Sequence, residues 1–241
     1  MKLKNYFKIY PLQLLFFTIA FIVVTPIGTV SHELGHVVAA QIMGYETKLS
    51  YSSTYWNAEK INQELDILYL ENEQDIIDKK HFRDKPRFDY LISKFKTDSI
   101  INTSGGPIQT MLTGTIGLIF LYFRRKNTQA KNFKWIDWLG VFLSLFWLRE
   151  TFNLFSSVSR KIFGSGTTFF GGDEARISIM LKLPPGLIPV ICGLVGLVIS
   201  LYVIFRIIPA EKRFTFILSG LLGGSVGLYL WMNILGPSLL P

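Results

Sequence analysis

The sequence predicts an all-α polytopic membrane protein with five or six transmembrane helices and one small polar α+β insertion. Three observations carry this. The chain is 49% hydrophobic and 15% aromatic, with mean hydropathy +0.35, which is rare for a soluble domain of this length. Apolar runs of about 20 residues, the length needed to cross a bilayer, recur along it. A single internal stretch, 45–100, collects most of the acidic residues.

The apolar runs cover 9–25, 26–43, 104–123, 135–155, 186–208 and 214–235. One helix over the first two would be about 52 Å long, beyond a hydrocarbon core of about 30 Å. Thr25-Pro26 offers a break, because Thr caps helix starts and Pro is favoured at the first helical position. The expectation is therefore two segments, the alternative being one helix kinked at Pro26. Two segments also place more Lys and Arg in loops on the cytosolic side, as the positive-inside rule prefers. Four regions follow: an anchor and second apolar segment (1–44), the polar insertion (45–103), core spans and an acid-bearing segment (104–185), and a C-terminal hairpin (186–241).

Within the insertion, 47–56 is rich in Ser, Thr, Tyr and Trp with partial alternation, and predicts a strand or hairpin. Residues 62–80 space Leu65, Leu68, Ile76 and Ile77 as an amphipathic helix does. His81 has charged neighbours and is expected in a solvated loop. Leu183-Pro184-Pro185-Gly186 stops the segment before the next span. Small residues recur four apart at Ser31/Gly35/Ala39, Gly106/Thr110/Gly114, Gly220/Gly224 and Gly223/Gly227. Such faces let membrane helices approach closely, and the first two are expected to meet.

Net charge is +8. In a membrane chain this predicts contact with anionic lipid. No basic stripe with interleaved aromatics supports nucleic-acid binding. Cys192 is the one cysteine, which excludes a disulfide framework or a Cys-based zinc site. Lys2, Lys4 and Lys8 precede an apolar stretch, but 26–31 lacks a cleavage-like site, so a retained anchor is expected. Phe, Ile, Lys and Asn usage points to an AT-rich bacterium and its cell (inner) membrane.

The most informative pentapeptide is His32-Glu33-Leu34-Gly35-His36, inside the second apolar run. With three His in the chain, an accidental H-E-x-x-H string is expected about once in a thousand such sequences. Positions i and i+4 share one helix face, so both imidazoles can reach one metal ion. Glu33, rotated by about 100°, can reach a water on that ion. Three polar groups at membrane depth are costly and signal function.

These residues, with Ser104-Gly105-Gly106-Pro107-Ile108-Gln109 and Gly171-Gly172-Asp173-Glu174-Ala175-Arg176, resemble the site-2-protease family of intramembrane zinc metalloproteases. The first string matches the family's H-E-x-G-H. The second is similar to its G-P-x-x-N, with Gln109 in place of asparagine. The third stands where the family places an aspartate that completes the zinc shell. The resemblance implies Zn²⁺ held by His32, His36 and Asp173, with Glu33 as general base and acid, and a membrane segment of another protein as substrate. Glu174 and Glu150 remain alternative third ligands, since such zinc sites take two His and one carboxylate. Glu150 would otherwise pair with Arg149. Asn102, Gln109 and Asn153 are candidate oxyanion donors. The strand at 47–56 is a candidate edge for an extended substrate. Gly164-Ser165-Gly166-Thr167-Thr168 lacks the phosphate-loop Lys and is expected as a linker or gate. Gly171-Gly172 is expected to turn the backbone so that Asp173 enters the site. The resemblance also accommodates a non-catalytic family member acting as binding partner or regulator. Oligomeric state is left open.

Overall fold

The computed structural model describes residues 7–124, 133–164 and 169–241. In chain order these form α1 (Pro11–Ile42), β1 (Thr47–Leu49), β2 (Thr54–Trp56), α2 (Glu59–Glu71), α3 (Glu73–Ile77), α4 (Lys85–Phe123) and α5 (Trp135–Ser144). A 3₁₀ turn (Leu145–Trp147) leads into α6 (Leu148–Phe163), followed by α7 (Asp173–Met180). Then come α8 (Leu187–Tyr202), α9 (Ala210–Leu230) and α10 (Gly236–Leu239). Four helical stretches are long and apolar enough to cross a membrane: Pro11–Ile42, Lys85–Phe123, Leu187–Ile207 and Ala210–Leu239. The all-α architecture with a small α+β insertion is as expected.

Several boundaries differ from the sequence expectation. Residues 9–43 do not split at Pro26, which lies inside one continuous α1. Its missing N–H removes only one backbone bond. Thr25 Oγ1 bonds the Phe21 carbonyl at 2.8 Å, and α9 packs against this turn, where Gly227 lies beside Ile22 and Thr25. The amphipathic stretch 62–80 breaks into α2 and α3 at Asn72, whose side-chain amide donates to the Leu68 carbonyl at 3.0 Å. That local bond competes with continued helix. The run 135–155 is interrupted by the 3₁₀ turn, which carries the Trp147 indole onto Gly114. The helix that carries the apolar run 104–123 starts far earlier than residue 104, since α4 runs unbroken from Lys85.

α1 is the central helix, lying between α9 and α4. α4 also packs on α5 and α7, and α6 packs on α8. One end of the bundle holds the hydrophobic core: Phe17, Leu121, Trp138, Val141, Leu145, Val203, Ile208 and Phe216. The Trp138 and Phe216 rings stack there, with centroids 5.4 Å apart. Phe17 lies fifteen residues before His32, or about 22 Å along the helix, so the polar groups of α1 occupy the opposite end from the packed aromatics.

β1 and β2 form an antiparallel hairpin, pairing Thr47 with Trp56 and Leu49 with Thr54. This is the hairpin expected at 47–56, and it packs on the C-terminal half of α1. Tyr45 anchors its base. The hydroxyl bonds Asp98, which Lys94 also reaches at 2.6 Å, while Trp56 stacks on Phe95. Burial and the Asp98 carboxyl push the Tyr45 hydroxyl above its ordinary pKa. His81 is exposed, as its neighbours predict.

The helix faces meet with a shifted register. Gly35 does not face Gly106/Thr110/Gly114. Gly35 and Ala39 lie against Gly105, and a Cβ on Gly35 would also strike Gln109. Gly223 and Gly227 pack on α1, whereas Gly224 faces open space. Two glycine backbones in contact have no Cβ to hold them apart, and this sets the close α1–α4 crossing.

Candidate metal centre

The α1–α4 crossing brings three elements to one point. On α4, Asn102, Gly106 and Thr110 recur every four residues and so share a face. His36 Nδ1 donates to the Asn102 carbonyl at 2.7 Å. A carbonyl carries no proton, so this bond fixes the tautomer and leaves His36 Nε2 as a lone pair. His32 Nδ1 pairs with Thr110 Oγ1 at 2.9 Å. Gly106 lies between these two anchors, and a Cβ there would collide with Nε2 of both rings. The small residue at 106 thus makes room for imidazoles rather than for a neighbouring backbone.

α7 supplies the third group. Asp173 Oδ2 lies 3.1 Å from His32 Nε2 and 3.3 Å from His36 Nε2. These atoms fall within 4.8 Å of one another, and His32 and His36 are buried. For a tetrahedrally bound divalent cation with bonds of about 2.1 Å, ligand atoms stand about 3.4 Å apart. The donor set, its spacing and the second bond on each imidazole all fit such an ion. The same contacts also suit hydrogen bonds from imidazole Nε2–H to the Asp173 carboxylate, and with the Nε2 atoms deprotonated the three groups could hold a cation.

Asp173 reaches this point because the backbone before it turns sharply. Gly172 has φ +86 and ψ −177, a region open essentially to glycine alone. This is the turn expected of Gly171-Gly172. Of Gly164–Thr168, residues 165–168 lie outside the described residues.

Glu33 is 6% exposed and meets the hairpin. Thr54 Oγ1 lies 3.2 Å from Glu33 Oε2 and 2.9 Å from the Glu33 carbonyl, and its single proton serves one acceptor at a time. Thr54 has no sequence signal linking it to Glu33, because the two are joined only through the hairpin. Thr110 stood in the small-residue stripe, but its hydroxyl role was not apparent there.

The alternative acids lie elsewhere. Glu150 and Glu174 are each 1% exposed, and neither joins the histidine group. Among the described residues Glu150 forms no ion pair with Arg149, and neither of its oxygens accepts a hydrogen bond from a donor. Glu174 Oε1 accepts from Asn153 Nδ2 at 3.1 Å. Two candidate oxyanion donors are engaged, Asn153 with Glu174 and Gln109 Nε2 with Thr113 Oγ1 at 3.0 Å, whereas Asn102 meets His36 only through its backbone carbonyl. Comparison with known proteins finds no family model, no curated protein and no solved structure that matches this chain.

Proposed function

We propose that this chain is an intramembrane zinc metallopeptidase of the site-2-protease kind, cleaving peptide bonds in or beside membrane segments of other proteins in a bacterial cell membrane. In this reading α5 and α6 together form a fifth span beside α1, α4, α8 and α9. The observation that carries it is the convergence of His32 Nε2, His36 Nε2 and Asp173 Oδ2, at 3.1 and 3.3 Å, with Glu33 one position along the same helix.

His32, His36 and Asp173 would hold the metal, leaving a fourth position for water. Zinc held there would supply Lewis acidity, enough to bring the pKa of a bound water toward 7 and to polarise a carbonyl. Glu33 would accept a proton from the attacking water on a carboxylate oxygen and return it to the departing amine nitrogen. The Thr54 hydroxyl limits the rotamers of Glu33 by holding Oε2 or the neighbouring carbonyl. Asn102 and Thr110 keep both imidazoles aimed, so little reorganisation is needed at reaction. A substrate helix shields its own peptide bonds and must unwind first. The outer edge of β2, next to Glu33, offers backbone groups to an extended segment.

Glu33→Gln separates binding from chemistry. The full chain in detergent is expected to keep its zinc, measured by elemental analysis, while cleavage of a membrane-embedded peptide reporter stops. Cleavage at the unaltered rate by this variant refutes the mechanism. A wild-type chain that holds zinc yet cleaves no membrane peptide favours the non-catalytic reading.

A further inference from the structure

α6 carries a polar line on one face and large apolar side chains on another. Glu150, Asn153, Ser157 and Arg160 follow the i, i+3, i+7, i+10 spacing of a single face. The other side presents Phe152, Phe155 and Ile162, which are 52%, 66% and 66% exposed. Of the four, Glu150 and Ser157 are buried and Asn153 is half-buried, and polar groups placed so are costly unless something engages them. The line faces one segment, residues 171–174. Asn153 Nδ2 donates to Glu174 Oε1 at 3.1 Å. The buried Glu150 carboxyl stands beside that of Glu174, with no hydrogen bond to either of its oxygens. The Arg160 guanidinium lies over Gly171, where a Cβ would meet Nη2 at 2.7 Å. Arg160 Nη2 also donates to Ser157 Oγ at 3.4 Å, and Ser157 Oγ donates to the Asn153 carbonyl at 2.9 Å.

The far end of the short helix is tied as well. Ser178 Oγ donates to the Glu174 carbonyl at 3.0 Å and accepts from Ile188 N at 3.3 Å. Successive residues on a helix point about 100° apart. With Glu174 turned into α6, Asp173 is therefore turned toward α1 and α4, where its Oδ2 meets both imidazoles.

We infer that the Glu150–Asn153–Ser157–Arg160 face of α6 is a docking track for the acid-bearing segment, and that Glu174 and Asn153 are positioning residues that set Asp173 over the two histidines. The inference rests on the metal-binding reading above. It gives Glu174 a different role from a ligand. The Glu174 carboxyl braces α7 from behind, and removing the brace loosens the third ligand without touching the donor set.

The test uses the full chain in detergent, stripped of metal and titrated with Zn²⁺ against a competing chelator. The unfolding temperature of the metal-free protein is followed in parallel. Glu174→Gln keeps a carbonyl for Asn153 and gains an amide to meet Glu150, so its zinc affinity is expected to stay within about threefold of wild type. Glu174→Leu and Asn153→Leu remove the brace at similar volume. They are expected to weaken zinc binding by about 10–100-fold, the usual effect of losing an outer-shell partner. Should Glu174→Leu fail to fold, Asn153→Leu decides alone. The inference is overturned if Glu174→Gln binds as poorly as Asp173→Asn, which would make Glu174 a ligand. It is equally overturned if the leucine variants bind zinc normally and only lower the metal-free unfolding temperature. A wild-type chain that binds no zinc removes the metal reading itself, and that result is seen in a separate arm.

Discussion

Gly106→Ala is the sharpest single test of the metal centre. The added Cβ would lie 2.5 Å from His32 Nε2 and closer still to His36 Nε2, against an ordinary contact of about 3.4 Å. Each ring must therefore retreat by roughly 0.9 Å, whereas metal–ligand distances tolerate about 0.2 Å. The Nδ1 anchors at Asn102 and Thr110 oppose that retreat, so the rings cannot simply slide back. Zinc affinity is expected to fall by at least about 100-fold, more than for loss of an outer-shell partner alone. Stability moves much less. Replacing a mid-helix glycine by alanine gains about 1 kcal/mol of helix propensity, and overpacking costs about 1–3 kcal/mol. The net cost is about 0–2 kcal/mol, so the variant is expected to fold. Chelator competition measures the affinity, and thermal unfolding of the metal-free protein measures the fold. A Gly106→Ala protein that binds zinc as tightly as wild type would refute the geometry, because the two imidazoles could not then converge beside residue 106.

Other perturbations reach different parts of the structure. Gly35→Leu drives a side chain into the Gly105 carbonyl and Gln109, so the α1–α4 crossing is expected to open. The outcome should be loss of folded protein on expression, and normal yield would discard that interface. Thr54→Val preserves shape but removes the hydroxyl beside Glu33. It is expected to cost about 1 kcal/mol of stability and to slow cleavage with zinc content unchanged. Equal zinc and equal turnover would show that Thr54 does not restrain the carboxylate.

The parts of the site that were legible in the sequence are those joined by short separations. His32 and His36 share one turn, so their common face follows from helix geometry. Gly171-Gly172 announces a turn that L-residues resist. Asp173 could be placed only by family resemblance, because it meets His32 across 141 positions. The Asn102 carbonyl and the Thr110 hydroxyl were invisible for the same reason, lying 66 and 78 positions from their histidines. No local pattern records a long-range crossing. Pro26 misled because its local preference for a helix start is modest, and packing of α9 on that turn overrides it. Residue 104 was a poor boundary for a related reason. Composition changes there from polar to apolar, but the backbone hydrogen bonds of α4 do not depend on which solvent surrounds them.

That continuity has a mechanical consequence. At 39 residues, α4 is about 58 Å long, nearly twice the thickness of a hydrocarbon layer. Its first half belongs to the polar insertion, and its second half crosses the bundle. Asn102, whose carbonyl orients His36, lies along that strut, with no proline between it and Arg87. A helix transmits twist and tilt along its axis unless it breaks. Leverage applied to the insertion near Lys85 therefore reaches the imidazole two dozen ångströms away, so the watery and oily halves of the molecule must move as one.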